Sequence, residues 1–165
     1  MKVTIHSQLG TTEPISLEKL YIILSESAQN HLDITVERLS DIPSETLYLS
    51  ANLYDLKLFI TDWTRNMQKH GSGDYRITFE LQGKIILVKF WNKLNRPAGI
   101  KDLLDFINNK DKDSVIKRKT HGISSMKEIA NRWNISMHAI WVNKEDNPNT
   151  GSVCLTVKFV VDEKV

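Results

Sequence analysis

An acid, an amide, a lysine and an imidazole lie close together in the segment LFITDWTRNMQKHG. Asp62 and Asn66 are four residues apart, which places them on one face of a helix. Lys69 and His70 follow about one turn later, and Gly71 stands where a helix commonly ends. Polar groups beside a buried stripe are costly unless something pairs with them. A magnesium ion and a phosphate chain are suitable partners for this set of side chains.

The apolar pattern indicates which elements position these residues. Apolar side chains at helical spacing predict a helix over 52–70 with one buried face; they are Leu53, Leu56, Ile60, Trp63 and Met67. An earlier helix is predicted from about Ser16, which can cap it. Alternating residues predict strands over 32–38, 75–81 and 85–91, with a short strand or turn over 47–49.

The last third of the chain repeats this pattern of helix and strand. A helix is predicted around Ala130, with Ser125 and Glu128 forming a capping box at its start. Further predictions are a short helix over 101–107, a mobile charged loop over 108–121, strands over 138–142 and 153–161, and a turn over 144–151. Together these elements predict an α+β protein. We expect a two-layer α/β sandwich, in which helices pack on one face of a mixed, mostly antiparallel sheet.

Composition sets the outer limits. The chain has 165 residues, 41% hydrophobic and 25% charged, which is ordinary for a globular domain with its own core. The net charge of +2 gives no bulk electrostatic case for nucleic acid or membrane binding. No apolar run approaches the roughly 20 residues that span a bilayer. The single cysteine, Cys154, excludes an internal disulfide and favours a reducing compartment, so we expect a cytoplasmic chain.

The order of these elements and four local motifs resemble the ATP-binding domain shared by histidine kinases, gyrase and MutL. The resemblance extends over about residues 16–161 and is closest to the catalytic domain of sensor histidine kinases. It implies a Bergerat-type ATP-binding fold, with ATP and Mg²⁺ as cofactors. A single ATP-binding domain would then occupy residues 1–165, with an N-terminal extension over 1–15 and an ATP lid over 93–119.

The first motif is the helix over 52–70, which resembles the family pattern E-L-x-x-N-A-x-K-H. The resemblance implies that Asn66 coordinates magnesium through its side-chain oxygen, a hard ligand for a hard ion. It places Asp62 at the family's acid, which helps to prepare the attacking or accepting group. Lys69 and His70 are the residues expected to contact phosphates.

The second motif follows the strand over 85–91, where the family has an acid followed by glycines. Asn92 stands at the position of that acid, and the glycines are missing. The resemblance implies that Asn92 accepts a hydrogen bond from the adenine amino group, which an amide oxygen can do without charge assistance.

The third motif, THGISSMKEI, resembles the family pattern G-x-G-L-x-x-V-K-x-I. Thr120 replaces the first glycine, Gly122 keeps the second, and Ile123 takes the place of the leucine. Glycine lets the backbone approach a phosphate closely, and the helix that follows points its N-terminal amides at the anion. Lys119 and Lys127 are expected to add positive charge nearby.

The fourth motif, Thr150-Gly151-Ser152, resembles the small turn that enters the family's final strand, and Ser152 is expected beside the nucleotide.

Sequence motifs for other kinds of chemistry are missing. The sequence has no Walker-type phosphate loop, no metal-ligand cluster of cysteine and histidine, and no nucleophile with a base at motif spacing.

Three functions stay open at this point. The first is the ATP-binding domain of a histidine kinase, which would pass the γ-phosphate of ATP to a histidine on another segment or chain. Its partner would be a phosphoacceptor domain or partner protein, without nucleic acid or direct membrane contact. The second is a stand-alone serine/threonine kinase of the anti-sigma-factor type. The third is a non-catalytic protein-interaction module of the same fold.

Overall fold

The computed structural model describes residues 12–42, 47–94, 99–108, 121–144 and 147–163. The helices are α1 (Leu17–Leu32), α2 (Leu53–His70), α3 (Ile100–Asn108) and α4 (His121–Trp133). The strands are β1 (Glu13–Ser16), β2 (Glu37–Arg38), β3 (Leu47–Ala51), β4 (Arg76–Gln82), β5 (Ile85–Leu94), β6 (Ser136–Lys144), β7 (Asn147–Val160) and β8 (Asp162–Glu163). No helix within these ranges is long and apolar enough to cross a bilayer.

The strands form two sheets. The larger has the order β2-β4-β5-β7-β6, and the smaller has the order β1-β3-β8. Within the larger sheet β2 pairs parallel with β4, whereas the other neighbours pair antiparallel. The predicted mixed, mostly antiparallel sheet is therefore confirmed. The apolar strand β5 lies at its centre, as its composition predicted.

Side chains along β5 alternate between the two faces of the sheet. Val88 and Phe90 are buried, and their partners on β7 are the buried residues Val157 and Leu155. The same buried cluster includes side chains from all four helices, such as Leu20, Phe59, Phe106 and Met126. The helices thus cover one face of the sheet, and the predicted two-layer α/β sandwich is confirmed.

Three hydrogen bonds close the ends of α1 and α2, two of them at the predicted residues Ser16 and Gly71. The Ser16 hydroxyl accepts a hydrogen bond from the Lys19 backbone N–H at 3.1 Å, as expected of the cap of α1. The Asn52 side chain caps α2 in the same way. At the other end of α2, the Gly71 N–H donates to the Met67 carbonyl at 2.8 Å. The predicted start of α1 and both predicted bounds of α2 are confirmed to within a residue.

The strand predicted over 32–38 is mostly wrong. Leu32 is the last residue of α1, and Asp33 has a left-handed backbone with φ of 54° that closes the helix. The Asp33 N–H donates to the Gln29 carbonyl at 3.2 Å. Alternation in this stretch therefore reflects a helix end and a loop, and the strand consists of Glu37–Arg38 alone.

The capping box predicted at Ser125 and Glu128 is also wrong. The helix α4 begins at His121, so that both residues lie inside it. Ser125 instead donates a hydrogen bond to the Asp62 carboxylate on α2. The turn predicted over 144–151 is shorter than expected, because β6 continues to Lys144 and β7 begins at Asn147.

A buried carboxylate joins α2 to α4. Asp55 is 2% exposed. Its Oδ2 accepts hydrogen bonds from Arg132 Nη1 at 2.8 Å and from the Trp133 indole Nε1 at 2.7 Å. A buried charge is tolerated only when it is paired in this manner.

We expect Asp55→Ala to lower the free energy of unfolding by about 3 kcal/mol. The substitution removes the acceptor for Arg132 and Trp133 and leaves a cavity where the carboxylate was. Urea denaturation followed by circular dichroism measures this. The control is Glu18→Ala, which removes an exposed ion pair with Arg38 at 3.3 Å and should cost less than about 1 kcal/mol. Equal losses in the two variants would contradict the importance of the buried contact.

Candidate functional site

Two contacts define how α4 lies against α2. Asp55 contacts Arg132 and Trp133 at one end of the pair. Asp62 accepts a hydrogen bond from Ser125 further along. Residue numbers rise along α2 while they fall along α4 by the same interval, so the two helices pack antiparallel.

This register places the last turns of α2 beside the beginning of α4. Asn66 lies one turn beyond Asp62, and one turn before Ser125 are His121 and Gly122. The first amides of a helix have no partner within it, and the helix dipole makes that end attractive to anions. The predicted residues Asn66 and Gly122 are therefore brought to the same end of the helical layer.

The polar residues of α2 differ in exposure. Asp62 and Asn66 are half-buried, whereas Lys69 and His70 are exposed in the last turn. Partial burial raises the pKa of the Asp62 carboxyl, and the nearby Arg65 charge and the Ser125 hydrogen bond partly offset that effect. An exposed lysine and an exposed imidazole one turn beyond a half-buried amide form a suitable border for a polyanion.

Asn92 reaches the same end of the layer from the sheet. It lies within β5 rather than after it, and it is 5% exposed on the helix-facing side. A Cβ on Gly71 would lie 3.1 Å from Asn92 Nδ2 and 2.7 Å from Tyr75 Cε1. Only glycine therefore leaves room for the Asn92 amide beneath the end of α2.

Backbone hydrogen bonds hold the end of α2 on β5. The Ser72 N–H donates to the Lys93 carbonyl at 2.8 Å, and the Lys93 N–H donates to the Gly73 carbonyl at 3.0 Å. Gly73 has φ of 106°, which suits glycine. This short connection keeps Asn92 close to Lys69 and His70.

Ser152 is not brought into this group. It lies opposite Lys93 in the pairing of β5 with β7, whereas Val153 lies opposite Asn92. Directly opposed residues share a face, and consecutive residues lie on opposite faces. The Ser152 side chain therefore lies on the face of the sheet that the helices leave open.

The remaining predicted residues have mixed outcomes. Ile123 is buried in the core, so its side chain supports the start of α4 rather than facing a ligand. Lys119 and Thr120 lie outside the described residues, as does most of the charged loop predicted over 108–121. Of the lid predicted over 93–119, the structure describes the end of β5 and α3.

Two residues hold α3 in place, and neither of these roles was predicted from the sequence. Lys127 was expected near an anion, but it is 8% exposed and its Nζ donates to the Phe106 carbonyl at 2.6 Å. The same Nζ lies 4.5 Å from the centroid of the Phe106 ring. The Asn108 side chain exchanges two hydrogen bonds with the Ala139 backbone, at 2.8 and 2.9 Å. These contacts tie α3 to α4 and to the edge strand β6.

Solved structures share the fold of this chain. No protein-family model matches the sequence, and no curated protein matches it. The solved catalytic domain of the histidine kinase ThkA, in a nucleotide-free form, matches 91% of this chain and 97% of its own, with a TM-score of 0.61 and 16% identity. The chain has the fold of a histidine kinase catalytic domain.

Two other kinases extend the comparison. The Acinetobacter baumannii histidine kinase AdeS matches 96% of this chain and 72% of its own, with a TM-score of 0.57 and 10% identity. The mycobacterial sensor histidine kinase MprB matches 91% of this chain and 99% of its own, with a TM-score of 0.56 and 10% identity. At such identities the likeness concerns the fold, and the roles of residues must rest on their positions in this chain.

We expect Ser125→Ala to raise the pKa of Asp62 further, because the hydroxyl stabilises the ionised carboxylate. Carbon-detected NMR titration of the Asp62 carboxyl measures the pKa, whose ordinary value is 3.8. The matched control is Ser124→Ala, since the Ser124 hydroxyl is buried and has no hydrogen-bond partner among the residues that the structure describes. Equal titration of Asp62 in the parent and in Ser125→Ala would contradict the contact.

The pKa of Asp62 also makes stability depend on pH. The folded state holds the proton of Asp62 more tightly than the unfolded chain does. The protonated carboxyl therefore adds to the free energy of unfolding, fully below pH 3.8, and this stabilisation is lost as pH rises through the raised pKa. Asp62→Asn should remove that part of the pH dependence, which urea unfolding at several pH values measures. If the free energy of unfolding changed with pH in the same way in the parent and in Asp62→Asn, this prediction would be contradicted.

We expect Gly71→Ala to lower the free energy of unfolding by about 1–3 kcal/mol, because the added methyl would collide with Tyr75, Asn92 and the Met67 carbonyl. NMR should show the shifts concentrated at Asn92. Gly83→Ala is the control, since a methyl there meets nothing within 4 Å and only the φ of 61° is unfavourable. An identical pattern of shifts and loss in both variants would contradict the close packing.

Proposed function

We propose that this chain binds ATP with Mg²⁺ and transfers the γ-phosphate to a histidine on another segment or chain. One observation carries the proposal: the last turn of α2, the beginning of α4 and Asn92 of β5 meet at one end of the helical layer. Their chemistry is the amide oxygen of Asn66, the exposed side chains of Lys69 and His70, and the first amides of α4. A fold shared with histidine kinase catalytic domains supports the same conclusion.

The residues present fit ATP and Mg²⁺. Asn66 offers one amide oxygen, and no group of three or more carboxylate, histidine or cysteine side chains in the described part of the chain could hold a metal. Magnesium needs little more from the protein, because it keeps several waters and takes phosphate oxygens. The amide oxygen of Asn92 can accept a hydrogen bond from an adenine amino group.

In this proposal the chain acts by positioning and electrostatics, as phosphoryl transfer requires. Bound Mg²⁺ would offset phosphate charge. Asn92 would orient the base, while Lys69, His70 and the first amides of α4 would hold the phosphates. Asp62, which accepts a hydrogen bond from Ser125, would take a proton from the accepting group. The proposal also treats residues 1–165 as one ATP-binding domain with a lid over 93–119, acting in the cytoplasm.

A non-catalytic interaction module of the same fold is the second candidate. It is favoured by the placement of Ser152 on the open face, which leaves the apolar residue Val153 opposite Asn92. A base would then meet a single neutral acceptor, and its recognition would lack charge assistance.

Calorimetric titration of the chain with a slowly hydrolysed ATP analogue, in the presence of Mg²⁺, decides between the two candidate functions. We expect binding in the micromolar to sub-millimolar range. Asn66→Ala should weaken magnesium-dependent affinity by about tenfold or more, because it removes the amide oxygen offered to the metal. Gln68→Ala, exposed on another face of α2, is the control and should bind like the parent.

Absence of binding at millimolar nucleotide would defeat the ATP-binding proposal and leave the interaction module. Binding that is equally magnesium-dependent in Asn66→Ala would remove Asn66 from the metal site. Transfer itself is tested by incubating the chain with radiolabelled ATP and an added phosphoacceptor domain, and looking for acid-labile phosphohistidine.

A further inference from the structure

The face of the larger sheet that points away from the helices carries an apolar band. We call it the outer face, and define it by the outward residues of β5, β7 and β6: Ile85, Leu87, Lys89, Trp91, Lys93, Ser152, Cys154, Thr156, Lys158, Val160, Ser136, His138, Ile140 and Val142. Four of its aliphatic side chains are exposed, namely Ile85, Ile140, Val142 and Val160. Single exposed apolar residues are ordinary, but a group of them on one surface marks an interaction site.

The strand register makes part of this group continuous. Ile140 lies opposite Cys154, Cys154 lies opposite Trp91, and Trp91 lies opposite Arg76. Opposed residues of neighbouring strands are in side-chain contact. Cys154 is buried between its neighbours, and Trp91 is half-buried. An apolar strip therefore crosses three strands, from the exposed Ile140 at the edge to Trp91 at the centre.

Positive charge surrounds this strip. Lys89 and Lys93 flank Trp91 on β5, and Lys158 lies on β7 opposite Leu87. None of these lysines forms an ion pair with a carboxylate in the part of the chain that the structure describes. The carboxylate of Glu80, on the neighbouring strand β4, instead accepts a hydrogen bond from Gln82 at 2.9 Å.

We propose that the outer face binds an acidic, amphipathic segment of a partner protein. Carboxylates of that segment would pair with Lys89, Lys93 and Lys158, and its apolar side chains would cover Ile140 and Trp91. Complementary charge around an apolar centre gives such a contact its specificity. This surface lies on the opposite side of the sheet from Asn92, and the proposal does not depend on ATP binding.

Charge and composition argue against two other occupants. A second copy of the chain would bring the same lysines face to face, which is unfavourable in a two-fold contact. Single-stranded nucleic acid is commonly bound on aromatic side chains that stack with bases. Trp91 is the one tryptophan, tyrosine or phenylalanine among the outer-face residues defined above, and the rest of the apolar strip is formed by Ile140 and Cys154.

The test uses two alternating peptides as probes, (Glu-Leu)5 and (Lys-Leu)5, titrated into the labelled full chain and followed by NMR. We expect the acidic peptide to shift outer-face signals and the basic peptide to leave them unchanged. The double variant Lys89→Glu/Lys158→Glu and the single variant Ile140→Ser should each weaken binding by about tenfold or more. Raising the salt concentration should weaken binding of the parent.

Matched controls keep the same chemistry at other places. Ile22→Ser changes a residue on α1 that is 41% exposed, compared with 43% for Ile140. Lys57→Glu changes an exposed lysine on α2. Both controls should bind the acidic peptide like the parent.

Four outcomes would overturn the proposal. Failure of the acidic peptide to bind, or equal binding of both peptides, would remove the charge complementarity. Shifts caused by oligo-dT on the outer face would indicate nucleic acid instead. Concentration-dependent dimerisation that Ile140→Ser abolishes, seen by sedimentation equilibrium, would indicate a second copy.

Discussion

The contact of Asp55 with Arg132 and Trp133 is the constraint on which the rest of the helical layer depends. A carboxylate that is 2% exposed has to be paired, and both of its partners lie in the last turn of α4. The contact therefore determines which turn of α4 faces which turn of α2. Because the helices run antiparallel, the beginning of α4 then lies beside Asn66, some 11 residues along α2, or about 16 Å at 1.5 Å per residue.

The sheet contributes to the site through a second constraint of a different kind. The loop that ends α2 returns along β5, where Lys93 bonds to Ser72 and Gly73 through the backbone. Gly71 has no side chain to separate the loop from Asn92. A backbone contact of this kind is independent of the charges in the helical layer. The site therefore rests on one buried charge, one glycine and one short run of backbone hydrogen bonds.

Local sequence patterns predicted much of this arrangement. Apolar spacing and the helix-end signal at Gly71 are local, so α2 was predicted within about one residue, and the apolar composition of β5 predicted its central place. Contacts between distant residues were not predictable in this way. Asp55 meets Trp133 across 78 positions of sequence. The face on which Ser152 lies depends on the register between β5 and β7, and a shift by one residue would have reversed it.

Strand β5 takes part in both proposed surfaces. Its helix-facing residue Asn92 belongs to the proposed nucleotide site, while its neighbours Trp91 and Lys93 belong to the outer face. A partner on the outer face would therefore leave the nucleotide site sterically open. Any change in nucleotide affinity would require the partner to bind two states of the strand unequally. The place where such a difference could act is Lys93, because its side chain lies on the outer face while its backbone holds the loop that ends α2.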